Sequence, residues 1–330
     1  MRVALTAAAL ASLSAAHADT LVVGNKVDDS VSFIDLTTGE EVARRETGRA
    51  PHEIALSPDG TLAVVVSYVE QEYIGNTLHL FDVRTAEPMG EISLGDHRGP
   101  HGLKWIPGTS QVIVTTEVSQ DVVVVDVLRR KIVGTVKTDQ VGTHMVALSP
   151  DQNYAYAASI GSGTFTVIDL NPLSKVQDVA AGEGTEAISV TPDGKEIWVG
   201  NNRSRSIMVF DAETFEVLDT IETDDAPIRV EVSPDGTLVA ASYPFRSQVV
   251  FYDRATRQQV GTTNLIEQEL SFPVTLLFSP EGGVVWAAAT GSATVAEIST
   301  VDFTILRKLP AAKGSDGLGY TAVTTTPAGE

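Results

Sequence analysis

Short apolar runs and tight-turn segments alternate along most of the chain. The apolar runs, such as residues 62–67, 154–159 and 238–242, are rich in β-branched residues and about five residues long, which is the length of a β-strand. Turn segments of the form Ser/Thr-Pro-Asp-Gly separate them at residues 57–60 and 233–236, among others. Proline presets the first turn dihedral and glycine accepts the positive one. After residues 1–18 the sequence has no helical periodicity, so the pattern predicts an all-β protein.

The strands form a repeating unit. In every unit but the last, where the strand ends in Glu297-Ile298-Ser299, one strand ends in an aspartate, which is typical of a residue that starts a turn by binding the following backbone amides. These aspartates are Asp35, Asp82, Asp126, Asp169, Asp211 and Asp253. Four strands per unit, recurring at about 42 to 49 residues, are typical of the blades of a β-propeller.

The two ends of the chain complete each other. Strands predicted over 20–24, 31–35 and 42–47 correspond to the second, third and fourth strands of a blade, and 317–321 corresponds to an isolated first strand. Pairing the two ends closes one blade and removes free sheet edges. We therefore predict a seven-bladed β-propeller with four-stranded blades as a single domain over 19–321. Residues 322–330 are expected to form a loose tail.

The first eighteen residues have the features of an export signal. Arg2 precedes an apolar run over 3–16, and Ala16-His17-Ala18 is a small-x-small cleavage site. We expect a signal peptide over 1–18 and a periplasmic or secreted protein. No cysteine lies next to the cleavage site to carry a lipid, and no later apolar run is long enough for a membrane span.

The amino-acid composition excludes several kinds of site and partner. The chain contains no cysteine, which excludes disulfides, thiolate metal sites and the Cys-x-x-Cys-His attachment of covalent haem. Its net charge of −20 disfavours nucleic acid and anionic membranes as partners. A small molecule or a periplasmic protein is the expected partner, and the protein is expected to be a monomer.

Three segments resemble the YVTN or YncE-like family of bacterial β-propellers. They are residues 51–60 (Pro-His-Glu-Ile-Ala-Leu-Ser-Pro-Asp-Gly), residues 143–150 and residues 160–170. The resemblance implies a seven-bladed propeller. Related propellers include surface-layer modules, lactonases, the d1-haem domain of nitrite reductases and quinoprotein subunits, so the resemblance implies no single activity.

One position of the repeat carries the candidate chemistry. It lies six residues before the turn proline, at the start of the first strand, where known propellers open on the face that usually binds ligands. Around the ring it is occupied by Asp316, His52, His101, His144, Glu186, Ile228 and Val274. Three of the six histidines therefore share one structural position, flanked by two acids. Imidazoles and carboxylates converging on one point would suit a divalent transition metal such as Zn, Fe or Cu.

Two functions remain open at this stage. His52, His101, His144, Glu186 and Asp316 could bind a metal that acts on a small molecule by hydrolysis or oxidation. Alternatively the histidines are structural, and the protein is a non-catalytic periplasmic propeller that binds a ligand or another protein. Two further residues are candidates for the same site, Arg229 to hold an anion and His97 to support His101. The segment 68–77 is the longest connection on this face and is predicted to be a loop that could act as a lid.

Overall fold

The computed structural model describes residues 19–327, which form a ring of seven antiparallel sheets with four strands each. The predicted seven-bladed propeller is confirmed. The predicted signal peptide, residues 1–18, lies outside the described residues, as do residues 328–330.

The strands follow one another blade by blade. Blade 1 contains β1 (Thr20–Asn25), β2 (Ser30–Asp35) and β3 (Glu40–Glu46), together with the last strand of the chain, β28 (Ser315–Thr321). Blade 2 contains β4 (Pro51–Leu56), β5 (Leu62–Glu70), β6 (Tyr73–Asp82) and β7 (Glu87–Ser93). Blade 3 contains β8 (Pro100–Trp105), β9 (Gln111–Thr116), β10 (Asp121–Asp126) and β11 (Lys131–Lys137). Blade 4 contains β12 (Thr143–Leu148), β13 (Tyr154–Ser159), β14 (Thr164–Leu170) and β15 (Leu173–Ala180).

The remaining three blades repeat the same arrangement. Blade 5 contains β16 (Thr185–Val190), β17 (Glu196–Asn201), β18 (Ser206–Asp211) and β19 (Val217–Glu222). Blade 6 contains β20 (Arg229–Val232), β21 (Leu238–Tyr243), β22 (Gln248–Asp253) and β23 (Gln259–Asn264). Blade 7 contains β24 (Pro273–Phe278), β25 (Val284–Ala289), β26 (Thr294–Ser299) and β27 (Ile305–Pro310). Short 3₁₀ turns occur at Pro244–Arg246, Ile266–Gln268 and Thr290–Ser292. Between residues 19 and 327, no helix has the length and apolar character needed to cross a bilayer.

The chain ends close the ring as predicted. Strand β28 pairs antiparallel with β1, with Thr321 opposite Thr20 and Tyr320 opposite Leu21. The first strands of neighbouring blades contact one another around the central axis. The observed closing strand begins at residue 315, two residues earlier than the sequence pattern indicates.

The described part of the C-terminal tail is held against the ring. The Thr325 hydroxyl donates a hydrogen bond of 2.6 Å to the Val83 carbonyl, and the Thr20 hydroxyl donates one of 2.7 Å to the Val323 carbonyl. These contacts involve residues 323 and 325 of the segment that the sequence predicts to be a loose tail, 322–330. The segment is polar and gave no strand signal, but its side chains and backbone find partners on blades 1 and 2.

The hydrophobic core lies between the blades. Within residues 19–327, a cluster of buried apolar side chains fills each space between neighbouring sheets. Between blades 7 and 1, for example, Trp286 and Leu309 pack against Leu21 and Leu318. The middle strands of each sheet are therefore covered on both faces, which explains why their sequences are largely apolar and do not alternate strictly, whereas outer strands such as β7 and β19 are mostly exposed.

The turn aspartates act as the sequence indicates. The Asp35 carboxylate accepts hydrogen bonds from the backbone amides of Thr37 and Thr38, at 2.7 and 2.9 Å. Equivalent bonds form at Asp82 and Asp211. These contacts end one strand and start the next in successive blades, and so keep the repeat in register.

Candidate functional site at the channel mouth

The innermost strands carry a β-bulge near their start. The register of β4 shifts between Pro51 and Ile54, and that of β8 shifts between Pro100 and Leu103. Shifts at the equivalent place occur in β12, β16, β24 and β28. Each bulge adds a residue and bends the strand, so it changes the direction of nearby side chains. Consecutive residues can then approach the axis, which a regular strand would not allow.

The residues at the predicted ring position, called the upper tier below, all line one cavity. It has a volume of about 370 Å³ and opens at the channel mouth. The upper tier consists of Asp316, His52, His101, His144, Glu186, Ile228 and Val274. The repeat register alone thus brought together side chains from all seven blades. The polar members form one arc, and the two apolar members close the circle.

The three imidazoles of the upper tier stack side by side. The ring centroids of His101 and His144 are 3.6 Å apart with an interplanar angle of 28°, and those of His52 and His101 are 4.2 Å apart. The three side chains are buried, with residue exposures of 5%, 2% and 8% for His52, His101 and His144. Imidazoles packed this closely need either carboxylates or an ion to offset the repulsion between their charged forms.

Tyr68 covers the imidazoles from the side. Its ring meets His101 edge-on at a centroid distance of 4.6 Å and His52 at 5.2 Å. Tyr68 belongs to the segment 68–77, which extends β5 and β6 so that only residues 71–72 lie outside the strands. The predicted lid is therefore an extension of the β5–β6 hairpin, because backbone pairing between these two strands continues beyond the length of the corresponding strands in the other blades.

His144 is held between two carboxylates. Its Nδ1 lies 2.8 Å from a carboxylate oxygen of Glu117, and its Nε2 lies 3.6 Å from one of Glu186. Burial disfavours the imidazolium, but these two carboxylates outweigh it and raise the pKa of His144 to about 9. The Tyr68 hydroxyl donates to the same Glu117 oxygen at 2.5 Å. Burial and the Glu117 charge raise the pKa of Tyr68, so the phenol stays protonated.

His52 and His101 are buried with incomplete hydrogen bonding. Burial, followed by the positive charges of His144 and His52, lowers the pKa of His101 well below its usual value. His101 is therefore a neutral imidazole with a free lone pair. The Nδ1 atoms of His101 and His52 both lack a hydrogen-bond partner, while His52 Nε2 lies 3.3 Å from an oxygen of Asp316. Buried polar atoms without partners are uncommon and often mark an ion or a ligand.

The residues that follow the upper tier form a second layer, called the lower tier. Its contacting members are Glu53, Met145, Arg229 and Thr275, from blades 2, 4, 6 and 7. Arg229 crosses the axis and forms a buried ion pair with Glu53, and it also donates to Thr275 at 3.0 Å. Burial would raise the pKa of Glu53, but Arg229 and His52 hold it well below its usual range. The guanidinium of Arg229 is thus already paired with a carboxylate and is not free for the anion that the sequence suggested.

Glu53 is a candidate site residue that sequence reasoning missed. One ligand atom each from His52, Glu53 and His101 lie within 4.8 Å of one another. Regular strand alternation predicts that Glu53 points away from His52. The bulge in β4 overrides that alternation, and its only sequence signal is the pair His52-Glu53 itself.

His97 does not support the arc as predicted. Its Nδ1 lies 2.9 Å from the buried carboxylate of Asp121, which also pairs with Lys137 at 2.7 Å. His97 does not line the cavity. Its closeness to His101 in the sequence is misleading, because the Asp121 carboxylate at the start of β10 binds the His97 imidazole.

Two family models match different parts of the chain. The YNCE-like beta-propeller model matches residues 2–94, and the Cytochrome D1 heme domain model matches residues 108–243. No curated protein matches the chain.

Solved structures share the architecture at low identity. Hydrazine synthase from Kuenenia stuttgartiensis is 20% identical with a TM-score of 0.75, over 86% of this chain and 92% of that one. A functionally unknown protein from Desulfotomaculum acetoxidans is 15% identical with a TM-score of 0.71, over 93% of this chain and 100% of that one. At such identities the likeness shows the fold alone. The family match over residues 2–94 and the seven-bladed ring confirm the predicted resemblance: the chain is a seven-bladed β-propeller that resembles the YncE-like family.

Proposed function

We propose that the upper tier, together with Glu53 of the lower tier, binds one divalent transition metal ion, with His52, His101 and Glu53 as the first ligands. The observation that carries this proposal is the convergence of two imidazoles and one carboxylate within 4.8 Å, together with the unpartnered Nδ1 atoms of both histidines. An ion at this point would satisfy buried lone pairs that have no other partner. It would also link blades 2 and 3 across their inner strands.

The donor types favour a transition metal over magnesium or calcium. Two or three imidazoles with a carboxylate suit Zn, Fe or Cu, whereas Mg and Ca prefer oxygen ligands. Arg229 would orient the Glu53 carboxylate, in the way that surrounding hydrogen bonds commonly fix metal ligands. His144 is suited to be a fourth ligand, because Glu117 holds its Nδ1 and leaves Nε2 for the ion. Asp316 and Glu186 flank the set and offset its charge.

Such a site would support chemistry on a small molecule. Bound zinc would supply a water of lowered pKa for hydrolysis, and bound iron or copper would supply a redox centre. The residues of this chain would position the reactant in the cavity, and Tyr68 would limit the access of water. The alternative of a purely structural histidine cluster predicts no metal binding, and the titration below separates the two.

A haem fits these residues poorly, although one matching family model describes a haem domain. That match covers His144, Glu186 and Arg229. A haem iron takes an axial imidazole that projects toward the flat face of the macrocycle. Here the imidazoles are stacked on one another, at most 8% exposed, and packed against Tyr68, so none projects into open space.

The metal site is tested by calorimetric titration of chelator-treated protein with Zn, Cu, Fe(II) and Mn. We expect at least one metal to bind with a Kd tighter than about 1 µM. His101→Ala removes a ligand and should weaken that affinity by at least about 100-fold. His79→Ala is the matched control, because its imidazole lies 3.1 Å from the Thr77 hydroxyl and outside the cavity.

The same titration has a second readout in proton release. The pKa of His144 is raised to about 9, so at pH 7 the imidazole is protonated and must lose its proton to bind a metal. The affinity for the metal should therefore increase as the pH is raised toward 9 and decrease as the pH is lowered from 9. Equal affinity of the wild type and His101→Ala would show that the histidines are structural.

The proposed setting of this site is the periplasm. Support comes from Arg2, the apolar run over 3–16 and the Ala16-His17-Ala18 cleavage site. Protein recovered from a periplasmic fraction is expected to begin at Asp19 on N-terminal sequencing. An intact N-terminus at Met1 in a cytoplasmic fraction would contradict export.

A further inference from the structure

The cavity has an apolar half that the proposed metal site does not use. Its wall is formed by Ile228, Val274, Pro244 and Phe272. Phe272 is 39% exposed, and its ring meets the 71% exposed ring of Phe245 edge-on at a centroid distance of 5.7 Å. An exposed apolar wall beside convergent polar groups is typical of a site that binds the body of a small molecule.

The backbone fixes Phe272 at the edge of the cavity. Its amide donates to the Ser247 hydroxyl at 3.1 Å, and its carbonyl accepts from the Thr290 amide at 3.0 Å. Phe272 has a φ of 57°, and the residues directly before the first strands of other blades, such as Ala50, Gly99 and Gly142, have positive φ as well, so this conformation belongs to the repeat.

A lysine on the polar side is available for an anion. Lys26 lines the cavity and is half-buried, with its ammonium 4.9 Å from the centroid of the Tyr68 ring. Between residues 19 and 327 it forms no ion pair, since the nearby carboxylates have other partners. Asp316 lies beside His52 and accepts from Thr275 at 3.0 Å, and Glu186 accepts a hydrogen bond from Asn202.

We propose that the cavity binds a small monocarboxylate with an aryl or short alkyl body. The carboxylate would lie between Lys26 and the metal, and the apolar body would pack against Ile228, Val274 and Phe272. A volume of about 370 Å³ admits a ligand of this size. The metal contact rests on the proposed function, whereas Lys26 and the apolar wall are present without a metal.

The test is calorimetric titration with 4-phenylbutyrate and, as its cationic counterpart, 4-phenylbutylamine. Both are titrated into chelator-treated and zinc-loaded protein. The acid is expected to bind and the amine is not. Lys26→Gln should weaken binding of the acid by about fivefold, the upper end for an ion pair that is partly exposed to solvent. Lys313→Gln is the matched control, because this exposed lysine lies next to the same loop, where its carbonyl accepts from the Val27 amide at 3.2 Å.

The outcomes separate this inference from the metal proposal. Loss of affinity in Lys26→Gln but not in Lys313→Gln, already in chelator-treated protein, supports the carboxylate site independently of zinc. Zinc binding without carboxylate binding in either state overturns the carboxylate site and leaves the metal site standing. Equal binding of acid and amine, or equal effects of the two lysine substitutions, also overturns it.

Discussion

Deletion of residues 314–330 is expected to unfold the propeller. The deletion removes β28, which supplies the first strand of blade 1 and pairs along β1. It also removes Leu318 from the interface with blade 7, and Tyr320, whose ring stacks on Trp286 at a centroid distance of 5.5 Å. The loss should exceed about 5 kcal/mol, the lower end of the total stability of a typical domain. Thermal unfolding followed by circular dichroism should then show no cooperative transition.

A shorter deletion provides the control. Removal of residues 322–330 keeps β28 and eliminates only the contacts of the tail, including the hydrogen bonds of Thr325 with Thr20 and Val83. Five hydrogen bonds join the described part of the tail to the ring, and at about 0.5–1.5 kcal/mol each their loss should cost less than the longer deletion, which removes the same bonds together with β28. If the longer deletion melts at the same temperature as the full chain, ring closure by the chain ends does not stabilise the fold.

The fold was predictable because its signals are local and repeated. Each turn aspartate and each Pro-Asp-Gly turn sets the ends of two strands within a few residues. The same signals recur in successive blades, so an error in one blade is corrected by its neighbours. The repeat register then located the upper tier, from His52 to Val274, without any site motif. Equivalent positions of a closed ring must face the same axis, which is why the register was sufficient.

The rest of the site depends on features that the sequence pattern does not show. Glu53 reaches the channel because a bulge in β4 cancels strand alternation, and this bulge recurs in other first strands without a turn or strand signal of its own. Tyr68 covers the imidazoles because β5 and β6 extend beyond the usual blade height, and Glu117 reaches His144 from the end of a different strand. The His97 imidazole contacts the buried carboxylate of Asp121, which lies 24 residues away in the sequence. The contacts of Tyr68, Glu117 and His97 occur in single blades, so the repeat register could not predict them.

The upper and lower tiers make different contacts near the channel axis. The upper tier lines the cavity with nitrogen and oxygen atoms, whereas the lower tier links the blades beside it. Arg229 is central to these links, because it contacts Glu53, Met145 and Thr275 from three other blades. Thr275 in turn donates to Asp316 in the upper tier. The geometry of the candidate metal ligands therefore depends on an ion pair in the lower tier.

Arg229→Met is accordingly expected to destabilise the protein by about 3–5 kcal/mol, because it leaves the Glu53 carboxylate buried without its partner. The double substitution Arg229→Met with Glu53→Met should recover part of the loss, since removing both charges also removes their desolvation penalty. Urea denaturation of the two single variants and the double variant gives the coupling energy as a double-mutant cycle. Arg246→Met is the control, because its pair with Asp224 at 3.4 Å is exposed and should contribute no more than about 1 kcal/mol. If Arg229→Met costs no more than Arg246→Met, the ion pair across the axis does not hold the site together, and the orientation of Glu53 toward His52 must have another cause.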